Sequence, residues 1–358
     1  MRAVVLVGGA GTRLRPLTET IPKPLVPLMG RPQLDHVLDH LERHGVTEVV
    51  LSSPYLEETF HAFLAARRGH PAVTWITERE PLGTGGAIVN ALPALGDGPF
   101  LALNGDNLTD LDLTAMIAFH RAHGAAATIA LTRVADARPF GLVPTGEDGR
   151  VVEFREKPTD PIPGDVNAGT YVLEPAALAA WRAGEARSIE REIFPDLIGR
   201  GDPVYGFLSP AYWLDLGTPA QYLRAHADIL DGLVASEPSG RAPRVDPSAS
   251  VDASARLGRH VVVGAGAAVG ADAVVEGSVL LERAAIGAGA RVEGSILGPG
   301  ARVGEGAVVE GSALAPGAHG PRTEAARDAT RIRGRMVRRF MGSRDGNTRG
   351  SPGGGGQA

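Results

Sequence analysis

The chain has 358 residues, a net charge of −5 at pH 7 and no cysteine. That length allows a full catalytic domain and a smaller second domain, while the missing cysteines exclude disulfides, thiolate metal sites and a cysteine nucleophile. The sequence lacks the apolar core of a signal peptide and any run of roughly 20 apolar residues, so we expect a cytoplasmic protein without a membrane partner.

Residues 1–232 alternate strand-like and helix-like segments, which predicts an α/β catalytic domain with a doubly wound, Rossmann-like, mostly parallel sheet. Strands are predicted at residues 3–7, 48–51, 73–77, 100–103 and 127–134, and helices at 33–44, 56–67, 85–95, 113–123 and 218–230. Residues 141–214 are richer in strands and turns, which is typical of an inserted substrate-binding lobe. Ligands of such sheets bind outside the carboxyl ends of the strands.

A six-residue repeat of aliphatic residues follows a linker at 233–244 that is rich in proline, glycine and serine. The repeat predicts a left-handed parallel β-helix over residues 245–317, with roughly four coils of about 18 residues. Because four coils bury little surface alone, we expect a homo-oligomer that uses this domain. The inward positions are Val245, Val251, Leu257, Val263, Val269, Val275, Leu281, Ile286, Val292, Leu297, Val303 and Val309.

Residues 318–358 form a basic, glycine-rich tail in which nine arginines from residue 321 onward face three acidic residues. We predict a short helix at 323–341 and a partly disordered remainder. The tail either docks to an acidic surface or nucleic acid, or is simply solvated. Since the rest of the chain is acidic, nucleic acid is not an expected partner of the body.

The loop after the first strand has the composition of an anion-binding site. Its glycines let backbone amides approach an anion closely, and its arginines add donors suited to phosphate. The loop is neither a Walker A motif, since no Gly-Lys-Ser/Thr follows, nor a dinucleotide fingerprint, since Leu14 replaces the third glycine. The candidate residues are Gly8, Gly9, Gly11, Thr12 and Arg13.

Only two of the 36 basic residues are lysines, Lys23 and Lys157, and each precedes a proline. A lysine ammonium is a compact point charge, whereas an arginine guanidinium is a wide planar fork. Two sites that keep lysine in an arginine-rich chain therefore suggest two crowded anion pockets, although chance retention at the surface is the alternative.

The segment from Gly8 to Leu25 closely resembles the signature of the sugar-1-phosphate nucleotidyltransferases, also called NDP-sugar pyrophosphorylases. The resemblance extends over about 300 residues, and the hexapeptide repeat makes the arrangement most similar to mannose-1-phosphate guanylyltransferases. It implies an enzyme that joins a nucleoside triphosphate (NTP) to a sugar 1-phosphate and releases pyrophosphate. Later motifs agree in order: Leu82–Gly86, Asn104–Asp106, Phe140–Gly141, Glu156–Pro158, Asn167–Gly169 and Trp213–Pro219.

The resemblance also implies roles for charged residues. Asp106, after an apolar strand, and Asp215 would hold Mg²⁺ against the phosphates. Arg13 and Lys23 would bind the triphosphate, and Lys157 the sugar phosphate. Because the acceptor phosphate is already anionic, the reaction needs positioning and positive charge but no Ser, Cys or His nucleophile. On pattern alone, Asp106 is equally well explained as a turn residue.

Substrate selection is assigned to a second set of residues. Gly141, Glu156, Asn167 and Gly169 would contact the sugar. Gly8 and Gly85 would place backbone against the base. Glu78 and Glu80 stand just before the turn that contains Gly83, and these three are further nucleotide-binding candidates. A carboxylate accepts hydrogen bonds from N1–H and N2–H₂ of guanine, which favours GTP. Solvation of either glutamate at the surface is the alternative.

The leading hypothesis is synthesis of GDP-mannose from GTP and mannose 1-phosphate. Synthesis of ADP- or dTDP-glucose and activation of a sugar-like phosphate remain open. A non-catalytic nucleotide-sugar sensor is a hypothesis of another class, but it predicts loss of Arg13, Lys23, Asp106 or Asp215, and all are present. An acyltransferase would depend on His260, the histidine inside the repeat.

Overall fold

The computed structural model describes residues 1–54, 57–67, 70–235, 237, 243–320 and 338–339. Short 3-10 turns lie at Thr12–Leu14, Leu17–Glu19, Lys23–Leu25 and Pro175–Leu178, and a π-helical turn at Ile189–Ile193. The helices are α1 (Gln33–Arg43), α2 (Glu57–Ala66), α3 (Gly83–Leu95), α4 (Leu113–Ala122), α5 (Phe194–Gly199) and α6 (Pro219–Leu230). The strands that precede the repeat are β1 (Arg2–Leu6), β2 (Pro27–Leu28), β3 (Arg31–Pro32), β4 (Glu48–Ser53), β5 (Ala72–Thr77), β6 (Phe100–Asn104), β7 (Asn107–Thr109), β8 (Ala127–Val134), β9 (Gly141–Leu142), β10 (Arg155–Glu156), β11 (Gly164–Leu173), β12 (Val204–Leu208) and β13 (Trp213–Asp215).

The main sheet has the order β10-β9-β11-β6-β1-β4-β5, and β8 with β12 branches from β11. Strands β5, β4, β1 and β6 are parallel, whereas β11 is antiparallel to β6. The predicted Rossmann-like arrangement is confirmed from β5 to β6, and the sheet becomes mixed beyond it. Since β4 and β6 flank β1 on opposite sides, a crevice opens at the carboxyl ends of β1 and β6.

The central strands are apolar on both faces because helices cover both sides of the sheet. Val4 and Ala102 face one core, which Ile88 of α3 completes. Val5 faces the opposite core together with Leu38 of α1. Alternation along each strand thus fixes which side chains reach the two helical layers.

The repeat forms coils of short parallel strands around an aliphatic interior. Val245 pairs with Val263, 18 positions on, and Val263 pairs with Leu280, 17 positions on. Val245 is 39% exposed because its strand lies at the edge of its sheet. The strands are β14 (Arg244–Val245), β15 (Ser250–Val251), β16 (Arg256–Leu257), β17 (Val262–Val263), β18 (Ala268–Val269), β19 (Val274–Glu276), β20 (Val279–Leu280), β21 (Ala285–Ile286), β22 (Arg291–Glu293), β23 (Ile296–Leu297), β24 (Arg302–Val303), β25 (Val308–Glu310) and β26 (Ser312–Leu314).

One predicted inward position, Leu281, was wrong, because Leu280 faces the interior while Leu281 packs outside the coil. The corner before it is one residue shorter than predicted and turns at Gly277, with φ +52°. Serine hydroxyls at this corner support the stack: Ser278 Oγ accepts from the Ser295 amide at 3.0 Å, and Ser295 Oγ accepts from the Ser312 amide at 3.2 Å.

One face of the coil packs directly against the catalytic domain in what we call the interdomain cluster. Its members are buried aliphatic and aromatic side chains from both domains. From the catalytic side they include Leu14, Leu17, Val26, Leu28, Leu108, Leu214, Leu216, Tyr222 and Ile229, and from the coil Val262, Val279, Leu281, Ile296 and Ala313. The β-helix is therefore packed under the loops of the crevice.

The linker and the tail are only partly described. Val234 is buried in the interdomain cluster, and Glu237 Oε2 lies 2.9 Å from His36 Nδ1, so the start of the linker is anchored. The predicted helix at 323–341 is wrong at Arg338–Arg339, which form a strand antiparallel to β26. An open strand edge offers backbone groups for such pairing. The other residues of that helix, and the disorder expected after it, lie outside the described residues.

Within the described ranges, no helix combines the length and apolarity needed to cross a bilayer.

Candidate active site

A cavity of about 320 Å³ occupies the crevice at the carboxyl ends of β1 and β6. Parallel sheets bind ligands at this edge, because loops and helix N-termini converge there. The wall brings together predicted residues from distant parts of the sequence: Gly8, Gly9, Lys23, Glu78, Gly83 and Asp106. Ser52, Pro54, Thr84 and Asn104 also line it and had no assigned role.

The glycine loop is held in shape by its own residues. Gly11 has φ +61°, and a Cβ there would lie 2.9 Å from Thr18 Cγ2 and 3.2 Å from Lys23 Cβ. The Thr18 hydroxyl donates to the Gly11 carbonyl at 2.6 Å. Thr12 and Arg13 are exposed at the mouth of the loop. Only glycine fits both the backbone conformation and the close approach to Lys23.

Lys23 is the charged centre of the site, and its side chain is only 8% exposed. Its ammonium forms an ion pair with Asp106 Oδ2 and lies 3.7 Å from Asp215 Oδ1. Asp106 follows β6, and Asp215 ends β13, which pairs antiparallel with β7. The two aspartates predicted to share a metal therefore converge on one lysine.

The second cation at the carboxylates is Arg13, whose Nη2 lies 3.4 Å from Asp215 Oδ2. A Cβ at Gly217 would lie 2.7 Å from that guanidinium and 2.8 Å from Asp215 Oδ2, so the glycine lies directly against the pair. Burial raises the pKa of the Asp215 carboxyl, the charge of Asp106 raises it further, and Lys23 and Arg13 lower it. The net direction is upward, because burial and the neighbouring carboxylate outweigh the two cations.

The base side of the cavity is formed around Glu78, which is buried. Glu78 accepts hydrogen bonds from the Ser52 hydroxyl at 2.8 Å and the Leu82 amide at 2.9 Å. Gly8 packs against Pro54, where a Cβ would lie 2.8 Å from Cδ. Glu80 is exposed and outside the wall, and Gly85 is buried against the segment at residues 187–193.

The sugar-side residues lie on β9, β10 and β11, beside the cavity and outside its wall. Gly141 and Glu156 are paired across β9 and β10. Lys157 Nζ lies 3.6 Å from Glu156 Oε1, but the lysine side chain is 60% exposed. The crowded pocket expected around Lys157 is therefore not formed by the described residues, whereas that around Lys23 is.

Asn167 and Gly169 lie on β11, where their contacts fix the backbone next to the cavity. The Asn167 amide donates to the Tyr171 hydroxyl at 2.8 Å, and its oxygen accepts from the Gly169 amide at 2.9 Å. Gly169 has φ +70°, and a Cβ there would lie 2.6 Å from the Asn104 amide nitrogen. Asn104 lines the cavity, so Gly169 brings the sugar-side strand β11 into contact with the cavity wall.

The carboxylates of Asp106 and Asp215 suit a hard divalent cation, but they provide only part of its ligands. Among the described residues, no group of three or more His, Asp or Glu side chains could hold a metal. Asp106 and Asp215 supply two carboxylates, and Mg²⁺ commonly takes one or two carboxylates while substrate phosphates and water complete its octahedron. The pair therefore fits a cation that is held jointly with the substrate.

Ser52 and Tyr171 take part in the site but were not predicted, because the sequence pattern around each is weak. Ser52 lies at the end of β4, and its edge position was readable once that strand was predicted. Tyr171, which binds Asn167, is indistinguishable in sequence from an ordinary core residue of an apolar strand.

Lys23 and Arg13 place fixed positive charge beside the carboxylates of Asp106 and Asp215, and the glycine loop borders the same cavity. This arrangement supports stabilisation of negative charge during transfer at phosphorus. The fold and the cleft thus define a nucleotide-binding transferase.

Comparison with known proteins gives the family. Residues 2–232 match the nucleotidyl transferase family, and residues 242–326 match the GMPPB C-terminal domain. The chain belongs to the nucleotidyl transferase family and is an enzyme of that class, which confirms the sequence-based identification. Enzymes of this class generally use a divalent metal ion.

Two curated relatives carry similar names. A mannose-1-phosphate guanylyltransferase of Mycobacterium tuberculosis is 40% identical over 286 residues, covering 78% of this chain and 79% of that protein. A probable mannose-1-phosphate guanylyltransferase 2 of Arabidopsis thaliana is 40% identical over 293 residues, covering 78% and 80%. Among solved structures, HddC from Yersinia pseudotuberculosis complexed with GMP-PN superposes with a TM-score of 0.56 at 31% identity, covering 63% of this chain and 97% of that one.

Proposed function

We propose that this enzyme condenses GTP with mannose 1-phosphate to give GDP-mannose and pyrophosphate. One observation carries the proposal: Lys23, Arg13, Asp106 and Asp215 converge at the edge of the cavity, where two polyanions must meet. The choice of GTP and mannose 1-phosphate is supported by the printed names of the relatives. The same convergence argues against a non-catalytic sensor.

The acceptor phosphate oxygen attacks the α-phosphorus, and pyrophosphate leaves. Lys23, already buried between carboxylates, would place a fixed positive charge at the transferred phosphoryl group. Arg13, exposed at the mouth, would hold the leaving phosphates. We assign Lys157 to the sugar phosphate and Glu156, with the backbone at Gly141 and Gly169, to the sugar hydroxyls.

Base selection is assigned to Glu78 rather than Glu80, because Glu78 lines the cavity. Ser52 and Leu82 each occupy one lone pair of its oxygens. A carboxylate has about four such sites, so N1–H and N2–H₂ of guanine can be accepted as well. Adenine presents a ring-nitrogen acceptor at the same position and would be repelled.

We further propose that the required metal is Mg²⁺, held by Asp106 and Asp215 together with phosphate oxygens. When bound, the ion would neutralise phosphate charge during displacement. The domain boundaries at 1–232, 233–244, 245–317 and 318–358, the homo-oligomer and the cytoplasmic location stay predictions.

A substrate grid tests the function. The purified protein is incubated with Mg²⁺, each of five NTPs and several sugar 1-phosphates, and pyrophosphate release is measured. We expect the highest kcat/KM for GTP with mannose 1-phosphate. A preference for another base or sugar contradicts the substrate assignment, and no release from any pair contradicts the catalytic one.

The metal assignment is tested by Asp106→Asn and Asp215→Asn, each of which should reduce turnover by at least about 10²-fold with the fold intact. Asp202→Asn is a matched control, because Arg200 holds that carboxylate at the surface. Near-normal activity of either active-site variant would refute the assignment.

A further inference from the structure

The turn at residues 82–86, which begins α3 and contributes Gly83 and Thr84 to the cavity wall, is bound to the segment that leads into the π-helical turn. The amides of Gly85 and Gly86 donate to the Arg187 carbonyl at 2.9 and 3.1 Å. The Arg187 amide donates back to the Leu82 carbonyl at 2.8 Å. Three backbone hydrogen bonds thus join two segments that are about a hundred residues apart in the chain.

The glycines of this turn serve that contact. A Cβ at Gly83 would lie 2.6 Å from the Arg187 carbonyl oxygen, and Gly83 has φ +68°. A Cβ at Gly85 would lie 2.9 Å from the Ile189 amide nitrogen, and one at Gly86 would lie 2.3 Å from the Glu185 carbonyl oxygen. The motif is glycine-rich because another backbone lies directly on it.

A carboxylate completes the attachment through side chains. Glu190 Oε2 accepts from the Thr84 hydroxyl at 2.7 Å and from the Ser188 hydroxyl at 2.8 Å. Thr84 Oγ1 in turn accepts from the Ile189 amide at 3.0 Å. Because a hydroxyl has a single proton, the carboxylate fixes the direction of the Thr84 hydroxyl. Thr84 lines the cavity, whereas Glu190 lies behind it.

We propose that Glu190 is a positioning residue for the nucleotide. By accepting the hydrogen bond of the Thr84 hydroxyl, it holds the turn at residues 82–86 in the shape that the NTP requires. Without it, the Thr84 side chain must be ordered when the nucleotide binds, and that ordering reduces affinity. This inference rests on the proposed function, and it predicts a defect in NTP binding rather than in the chemical step.

Steady-state kinetics of Glu190→Ala tests the proposal. With the NTP that the wild-type enzyme prefers, we expect the KM for NTP to rise about tenfold or more, with kcat and the KM for sugar 1-phosphate within about threefold. Glu190→Gln keeps an acceptor oxygen for both hydroxyls and should restore the KM for NTP. In combination with Thr84→Val, the loss should be no larger than that of one substitution, because both remove the same contact.

Glu192→Ala is the matched control. Glu192 accepts from the Ser188 amide at 2.9 Å and pairs with Arg187 at 3.0 Å, so it supports the same segment without touching Thr84. We expect a lower melting temperature and an unchanged KM for NTP. An equal rise in KM for both alanine variants overturns the proposal, as does a folded Glu190→Ala with a normal KM.

Calorimetric titration with GTP, without sugar phosphate, separates this inference from the proposed function. If the wild-type protein binds GTP but releases no pyrophosphate with any partner, the catalytic assignment fails while the affinities of the variants still decide the role of Glu190. Equal GTP affinity of wild-type and Glu190→Ala protein refutes that role.

Discussion

Ile296 and Leu297 are neighbours on β23 and both are 0% exposed, yet they point into different environments. Ile296 packs in the interdomain cluster with Leu14 of the glycine loop and Leu216 next to Asp215. Leu297 packs inside the β-helix. Replacing each by alanine separates support of the active site from stability of the coil.

Both substitutions remove a fully buried aliphatic side chain and leave a cavity, so each should cost about 2–5 kcal/mol of unfolding free energy. Only Ile296→Ala opens a cavity in the cluster that contains Leu14 and Leu216, the chain neighbours of Arg13 and Asp215. A misplacement of 1 Å can cost about a hundredfold in rate, so a partial relaxation should lower kcat/KM on the order of tenfold. Leu297→Ala should stay within about twofold of the wild-type value.

Urea unfolding supplies the free energies, and pyrophosphate release, at a temperature where both variants are folded, supplies the kinetics. Equal kinetic defects in both variants would show that any damage to the β-helix reaches the site. A normal kcat/KM for a destabilised Ile296→Ala would show that the interdomain cluster does not position the catalytic residues.

Three further outcomes are expected. Lys23→Arg should lower kcat about 10²–10³-fold, because the Lys23 side chain is only 8% exposed and a planar guanidinium is wider than the ammonium held between Asp106 and Asp215, and pyrophosphate release near wild-type rates contradicts this. Burial lowers the pKa of His226 from 6.5 to about 4. Its Nε2 accepts from the Met29 amide only when unprotonated, so stability is complete above pH 6.5 and falls by up to roughly 3 kcal/mol towards pH 4, measured by urea unfolding. A pH slope unchanged in His226→Gln would exclude this histidine as its source. Gly169→Ala should reduce kcat/KM at least about tenfold, because its Cβ would lie 2.6 Å from the side-chain amide nitrogens of Asn104 and Asn107. Gly184→Ala is the control, because Gly184 has φ +81° but open space around it, and its kcat/KM should not fall. Equal effects of the two substitutions would attribute the loss to backbone strain alone.

The central strands could be predicted closely, because β1, β4 and β6 are short apolar runs bounded by polar loops. The aliphatic repeat was equally readable, apart from the shortened corner that moved Leu281 outward. That corner was missed because a leucine stands at both 280 and 281, and either satisfies a six-residue pattern.

The site was predictable in its chemistry but less so in its geometry. Lys23, Asp106 and Asp215 were expected to share a site from the resemblance and from the strand that precedes Asp106, and the structure brings their side chains together. The packing of Gly85 against residues 187–193 and the role of Glu190 were not readable, because glycine and glutamate fit many contacts.

By itself, the sequence determined the two architectures and the kind of chemistry, since periodicity fixes which faces are buried and residue types fix which charges are available. The tertiary structure alone decided that Glu78 rather than Glu80 reaches the cavity, that Lys157 stays exposed, and that the β-helix lies beneath the glycine loop. The physical reason is that these properties depend on distances between segments remote in the chain, and a local pattern carries no information about such distances.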